Sequence, residues 1–105
     1  MPVFKLAQFE VRPDARDEAE RAMHTFASYV RQELRDSSWT SYRDPDVPTR
    51  YLALTIADSP AAEENQRKAP GTKTFEDALQ SLVVGSVEHT NWQLVTSSDL
   101  ARRRR

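Results

Sequence analysis

The sequence predicts an α+β fold of the ferredoxin-like, split β-α-β kind. Four segments have the composition of strands and two regions that of helices, in the order strand, helix, strand, strand, helix, strand. A chain of 105 residues has room for a single core. Two helical regions can cover only one face of such a sheet, and the other face carries apolar side chains. The sequence therefore predicts a homodimer whose two sheets pack into a barrel.

The first strand and the first helix are the clearest elements. The strand is predicted over Val3–Val11, with apolar side chains on both faces, which indicates cover on both sides. After Pro13, a helix is predicted over residues 15–34 with Asp14 as its N-cap. Its apolar residues recur in steps of three and four, which gives one helical stripe of Ala19, Met23, Phe26, Val30 and Leu34.

Two further strands, Ser37–Arg43 and residues 51–57, flank a connector rich in proline and aspartate. Residues 51–57 include no charged side chain, so this strand should be central in the sheet. A helix is then predicted over residues 61–68, because Pro60 follows a cap candidate and suits the first helical position.

The prediction continues with an interruption of the helix at residues 69–71. A second helical piece is expected over residues 74–84, with a capping box from Thr74 to Asp77 and Gly85 just past its end. Residues 86–96 form the last predicted strand. Because Pro70 breaks the helix, we expect a cavity between the two helical pieces and the sheet.

Composition narrows the class of protein. Residues 1–98 are predicted to form the domain and residues 99–105 a disordered basic tail that ends in four arginines. The rest of the chain is acidic, which does not suggest a nucleic-acid partner. No apolar run approaches the ~18 residues of a membrane span. The absence of cysteine and of a signal-like start favours a cytoplasmic protein.

Short motifs in the second half carry a resemblance. A Tyr-Arg-x-Pro hairpin begins at Tyr42, a Tyr-Leu-x-Leu strand at Tyr51, and Asp58, Phe75 and Trp92 follow. This pattern resembles the antibiotic biosynthesis monooxygenase family, whose members are dimeric α/β barrels. The resemblance implies a cofactor-independent monooxygenase that acts on an aromatic or polyketide-like small molecule. In such an enzyme the deprotonated substrate itself would activate oxygen.

Two positions depart from the pattern that the resemblance implies. Ile56 stands where several members carry tryptophan, and Asn65 stands where many carry histidine. Residues 6–8 also lack the asparagine of the haem-degrading members. The predicted cofactor set is therefore empty. A metal site is not expected either, because the two histidines are not at a ligand spacing.

Six residues are the candidates for the site. His24, Asn65 and His89 are the candidate catalytic residues, and Gln8, Tyr51 and Trp92 are candidates for substrate binding. Each has a structural alternative: a boundary or hydrogen-bonding histidine, a solvated helix amide, an edge glutamine, or a core or interface aromatic.

The alternative for the whole chain is a non-catalytic dimeric module of the same fold that binds a small molecule or only assembles. Some of Gln8, Tyr51, Asn65 and Trp92 are expected on the cavity wall.

Overall fold

The computed structural model describes residues 1–99 and consists of one four-stranded antiparallel sheet with its helices on one face. The strand order is β2-β3-β1-β4, which confirms the predicted split β-α-β plan. The elements are β1 (Val3–Val11), a 3-10 turn (Pro13–Ala15), α1 (Arg16–Glu33), β2 (Ser37–Arg43), β3 (Arg50–Ala57), α2 (Pro60–Lys68), α3 (Pro70–Gln80) and β4 (Val83–Trp92). Apart from Asp99, the predicted tail lies outside the described residues.

The two faces of the sheet have different surroundings. Successive side chains of a strand point to opposite faces, so the odd-numbered residues of β1 and β3 form one row each under the helices. Phe9 pairs with Tyr51 and Ala7 with Ala53 across this covered face. The opposite face, which we call the open face, has no helix over it. Its larger apolar side chains are Phe4, Leu6, Tyr42, Leu52, Leu54, Ile56 and Trp92.

Aromatic side chains join the helices to the covered face. The rings of Phe26 on α1 and Phe75 on α3 stack with centroids 4.6 Å apart. Trp39 on β2 meets both rings edge-on, at 5.0 and 5.3 Å. Three elements far apart in sequence therefore share one aromatic cluster.

The start of α1 differs from the prediction. Asp14 lies within the 3-10 turn, and the N-cap of α1 is Ala15, without a side-chain hydrogen bond. The reason is the proline before it: Pro13 begins the turn, and the Ala15 N–H bonds to the Arg12 carbonyl instead. The predicted cap was wrong, whereas the apolar stripe of α1 is buried as expected.

The predicted bounds of α3 and β4 were also wrong. Pro70 occupies the first turn of α3, so the break between α2 and α3 is only Ala69. Thr74 lies inside α3 and donates to the Pro70 carbonyl at 3.0 Å instead of capping. The helix ends at Gln80, before the predicted end.

Gly85 belongs to β4 and not to a helix end. Its φ of 75° is in the left-handed region, which glycine adopts at little cost. It lies where the pairing of β1 with β4 shifts register, between Gln8 and Glu10. The glycine therefore marks a strand irregularity, which the sequence pattern alone did not distinguish from a helix stop.

No helix among residues 1–99 is long and apolar enough to cross a membrane.

Candidate ligand-binding site

A cavity of about 690 Å³ lies between the covered face and the helices α2 and α3. It follows from the change of direction at Ala69, which ends α2 in an extended backbone conformation with φ −67° and ψ 143°. The two short helices therefore do not continue as one rod over the sheet. The expected cavity between these elements is present.

One half of the cavity wall is apolar and largely aromatic. Its residues come from β1, α1, β2, α3 and β4, and they are Phe9, Phe26, Trp39, Phe75, Leu79, Val83 and Val87. Because most of these rings also belong to the hydrophobic core, they form a rigid surface against which a planar ligand could pack.

The sheet contributes a polar row to the other half. Lys5 on β1 lies beside Thr55 on β3 and Asn91 on β4, in register. All three side chains line the cavity. His89 lines it one row further along, opposite Ala7. An ammonium, a hydroxyl, an amide and an imidazole are thus placed on strands, where they are held more firmly than on a loop.

Helix α2 faces this row with charged and amide groups. Its N-terminus is capped by Ser59, whose hydroxyl accepts from the Ala62 N–H at 3.1 Å. Glu63 accepts from Lys5 Nζ at 2.9 Å and from Arg67 Nε at 3.3 Å. The hydrogen bond from Lys5, assisted by the charges of both cations, lowers the pKa of Glu63 and keeps it ionised.

Gln66 is the most buried polar residue of α2. The residue is 5% exposed and lines the cavity, three positions after Glu63 on the same helix face. Its backbone carbonyl accepts from the Thr72 hydroxyl at 2.6 Å, which ties α2 to α3. Its side-chain amide lines the cavity, where it can donate to and accept from a ligand or water.

A second cleft of about 340 Å³ lies at the α1 side of the sheet. Here Tyr51 donates to Glu20 Oε2 at 2.6 Å, and Arg43 makes two bonds to the same carboxylate, at 2.9 and 3.0 Å. The bond from Tyr51, with help from Arg43, lowers the pKa of Glu20. Burial, followed by the bond to Glu20, raises the pKa of Tyr51. This cluster fixes α1 to β2 and β3.

The structure separates the three candidate catalytic residues. His89 lies on the cavity wall and His24 on the wall of the second cleft. Asn65 is exposed and does not line the cavity; the expectation that it does was wrong. The reason is helix phase, because one residue along α2 is a rotation of about 100° and places Gln66, not Asn65, against the cavity.

The substrate-binding candidates do not line the cavity either. Gln8 and Trp92 lie on the open face, because both are even-numbered residues of a strand register in which odd-numbered residues face the helices. Tyr51 is on the covered face but is buried against α1, where its hydroxyl donates a hydrogen bond to Glu20. Their expected places on this cavity wall were therefore wrong.

The candidates from the sequence did not include Lys5, Glu63, Gln66 or Asn91, which all line the cavity. The signal for Lys5 was present, because it is the charged member of a row that otherwise contains Val3, Ala7 and Phe9. No comparable signal existed for Glu63 and Gln66, because α2 is short and polar all around. Only its tilt over the sheet selects the face that meets the cavity.

Among residues 1–99, no group of three or more histidine and acidic side chains is arranged to hold a metal ion.

Comparison with known proteins supports the fold. No protein-family model matches the chain, and no curated protein matches it significantly. Solved structures do. Rv0793 from Mycobacterium tuberculosis is 20% identical with a TM-score of 0.83, covering 93% of this chain and 99% of its own. A putative antibiotic biosynthesis monooxygenase from Caulobacter crescentus CB15 is 17% identical with a TM-score of 0.84, covering 90% and 91%.

The name of a third similar structure includes an activity. A variant of SnoaB from Streptomyces nogalater, described as a cofactor-independent oxygenase, is 20% identical with a TM-score of 0.80 and covers 92% of this chain and 96% of its own. At these identities the likeness concerns the fold. The chain therefore shares the fold of these solved structures, among which are proteins named as putative antibiotic biosynthesis monooxygenases.

Proposed function

We propose that the protein binds an aromatic or polyketide-like small molecule in the 690 Å³ cavity and oxygenates it without a cofactor. The observation that carries this proposal is the division of the cavity wall into an aromatic half and a polar half. An aromatic body would pack against Phe26, Trp39 and Phe75, and the oxygen atoms of the ligand would meet the polar half. The name of the structural neighbour SnoaB supports the oxygenase class.

In the proposed reaction the protein has to exclude water, orient the ligand and accept a proton. An electron-rich ligand, once deprotonated, supplies all four electrons that reduce oxygen. One oxygen atom is bonded to a carbon of the ligand, and the other leaves as water with two hydrogens that the ligand gives up, so no external reductant is needed. The aromatic half keeps water from the reacting carbon, and Gln66 and Asn91 orient the ligand's oxygen atoms. His89 is our candidate for accepting the proton, because it is the histidine on this wall.

Oxygen consumption tests this proposal. We would measure oxygen uptake with a panel of hydroquinones and hydroxylated tricyclic aromatics, in the presence of a metal chelator. Uptake that depends on the protein, with one oxygen atom recovered in the product from labelled oxygen, is the expected result. Tight binding of the panel without uptake would instead support a non-catalytic binding module. Absence of binding by any member would contradict the proposed ligand class.

A pair of neighbouring substitutions tests the site. Gln66→Leu removes the amide on the cavity wall and should raise the KM or the Kd about two- to tenfold, the cost of one lost hydrogen bond to a ligand. Asn65→Leu, on the exposed side of the same helix, is the matched control and should change neither. Equal effects of the two changes would place the ligand elsewhere.

We also propose a homodimer that covers the open face. Most of its apolar side chains remain half-buried or exposed in the single chain, and Trp92 is 57% exposed. A second copy would bury them around a twofold axis. Light scattering at micromolar concentration should give twice the 12.0 kDa chain mass, and Leu54→Glu in the middle of this face should reduce it to one chain. A wild-type mass of 12.0 kDa would contradict the dimer.

A further inference from the structure

We propose that Lys5 makes the cavity selective for ligands with an acidic phenolic or enolic hydroxyl, by holding the ionised oxygen. This inference rests on the proposed function, since it concerns the ligand of the same cavity. Lys5 would then determine which ligands bind. Its ion pair with Glu63 alone would suggest only a structural role.

The position of Lys5 is unusual for a lysine. It lies on β1, which is paired on both sides in the sheet, and its side chain is on the covered face. Its neighbours in the row, Thr55 and Asn91, are polar but uncharged. The side chain is only partly exposed, and Glu63 on α2 is its partner in an ion pair.

The hydrogen-bonding capacity of Lys5 is not used up. An ammonium has three N–H donors, and Lys5 gives one to Glu63 at 2.9 Å. In the part of the chain that the structure describes, no other acceptor is bonded to it. Its side chain is 36% exposed toward the cavity and its mouth. Two donors therefore remain for an oxygen atom of a ligand.

Because Arg67 also binds Glu63, Lys5 can exchange its bond to Glu63 for a bond to a ligand with little loss of free energy. The Arg67 guanidinium lies 3.3 Å from the same Glu63 oxygen, four residues further along α2. When an anionic oxygen displaces Glu63 from Lys5, the carboxylate keeps a cationic partner and is not left unpaired. Two cations share one anion at this point of the wall, so an additional negative charge is favoured there.

Other charged and titratable groups line the cavity but lie elsewhere on its wall. Glu76 is an exposed residue of α3, and His89 belongs to β4. Neither has an ion pair or hydrogen bond to Lys5 within residues 1–99.

A second, independent feature narrows the ligand class. Gln66 is 5% exposed and lines the cavity, on the same face of α2 as Glu63. An amide can donate to a carbonyl or accept from a hydroxyl. Together with Lys5 this gives two polar contacts on one edge of the ligand, while its rings pack on Trp39 and Phe75. The geometry fits a planar aromatic molecule with a hydroxyl and a carbonyl on the same edge.

The test uses a dye that reports its own ionisation. We would bind 1,8-dihydroxyanthraquinone, which has hydroxyls beside a carbonyl and changes colour when a hydroxyl ionises, and titrate it by absorbance on the intact protein. In the wild type the bound dye should ionise about 1 pH unit or more below the free dye, as expected for a cation within hydrogen-bond distance. In Lys5→Met this shift should vanish, and in Lys5→Arg most of it should remain.

Lys68→Met is the matched control. Lys68 is also a lysine paired with a glutamate, with Nζ 2.9 Å from Glu64, but it is exposed and does not line the cavity. Its loss should leave the ionisation of the bound dye unchanged. Circular dichroism of each variant would show that the fold is retained, and Lys5→Arg serves as the second variant should Lys5→Met fail to fold.

The outcomes separate the two proposals. If the dye binds and Gln66→Leu weakens it, but the ionisation does not depend on Lys5, the role of Lys5 is refuted and the cavity proposal stands. If Lys68→Met shifts the ionisation as much as Lys5→Met does, only the overall charge matters, which also refutes it. If the dye does not bind at all, both proposals fail.

Discussion

Two carboxylates on the helices of this protein have similar chemistry and different surroundings. Glu20 on α1 and Glu63 on α2 each accept hydrogen bonds from two side chains, and the pKa of each is lowered by them. Glu20 is bound by Tyr51 and, through both oxygens, by Arg43. Glu63 is bound through a single oxygen by Lys5 and Arg67, at the edge of a large cavity.

The difference shows how packing decides the role of a charge. The long helix α1 lies close to the sheet, and the Glu20 cluster joins it to two strands with three bonds to one carboxylate. The short helices α2 and α3 change direction at Ala69 and leave space, so the donors of Lys5 are not all used. A carboxylate bonded through both oxygens to two strands stabilises the packing of its helix, whereas a lysine with unused donors at a cavity is available for binding.

The largest expected effect compares the two clusters directly. Glu20→Ala should lower the free energy of unfolding by about 2 kcal/mol, because a buried tyrosine hydroxyl and an arginine lose a charged partner. Glu63→Ala should cost less than about 1 kcal/mol, because Lys5 and Arg67 can be solvated from the cavity. Urea denaturation measures both, with exposed Glu18→Ala on α1 as control. Equal losses would show that the Glu63 cluster is also structural.

The close contact between α1 and α3 gives a second prediction. A Cβ atom added to Gly71 would lie 2.5 Å from Tyr29 Cζ, so the ring must move. Gly71→Ala should therefore destabilise the protein by about 1–2 kcal/mol, less the small gain in helix propensity. The double variant Gly71→Ala with Tyr29→Ala should lose less in thermal denaturation than the sum of the two single losses, because the clash is then absent. No loss in the single variant would mean that α3 packs on α1 loosely.

The bond between Tyr51 and Glu20 can be isolated by a double-mutant cycle. Tyr51→Phe and Glu20→Gln should each destabilise, and the double variant should lose less than their sum by about 1 kcal/mol, the coupling of one charge-assisted hydrogen bond at 2.6 Å. Additive losses, measured by urea denaturation, would indicate that the two side chains do not interact in solution.

The smallest expected effect is the change in the free energy of unfolding at acidic pH. Because the pKa of Glu20 is lower in the folded chain than in the unfolded one, the unfolded state takes up the proton more readily as the pH falls. The stabilisation is therefore complete above the ordinary glutamate pKa of about 4.3 and is lost as the pH falls through the folded value. The difference in stability between the wild type and Glu20→Gln should shrink below that pH. A constant difference down to pH 2 would contradict the lowered pKa.

Much of the fold followed from local patterns. The bounds of β1 and β2 were predicted as observed, and the stripe of α1 from Ala19 to Val30 is buried. The errors in the predicted bounds arose at proline and glycine, because each of these residues is found both at the end of a helix and in another structural setting. Pro70 was interpreted as a break although it begins α3, and Gly85 as a helix end although it lies in β4.

The candidate site was harder to predict, because its members share no local pattern. His89 was a catalytic candidate and lines the cavity, whereas Asn65 was chosen one residue too early on α2. Tyr51 could not be assigned to the α1 cluster from the sequence, since its partner Glu20 lies 31 residues away.

The sequence by itself determined the order of the strands and helices, the apolar rows and the single charged position at Lys5, because these depend on side-chain periodicity along one element. Only the tertiary structure decided which face of α2 meets the sheet, and so brought Glu63, Gln66 and Lys5 to one cavity. The physical reason is that a helix as short and polar as α2 has no apolar stripe to fix its rotation. The orientation of α2 is fixed by the hydrogen bond from the Thr72 hydroxyl to the Gln66 carbonyl and by the packing of Phe75 of α3 on Phe26.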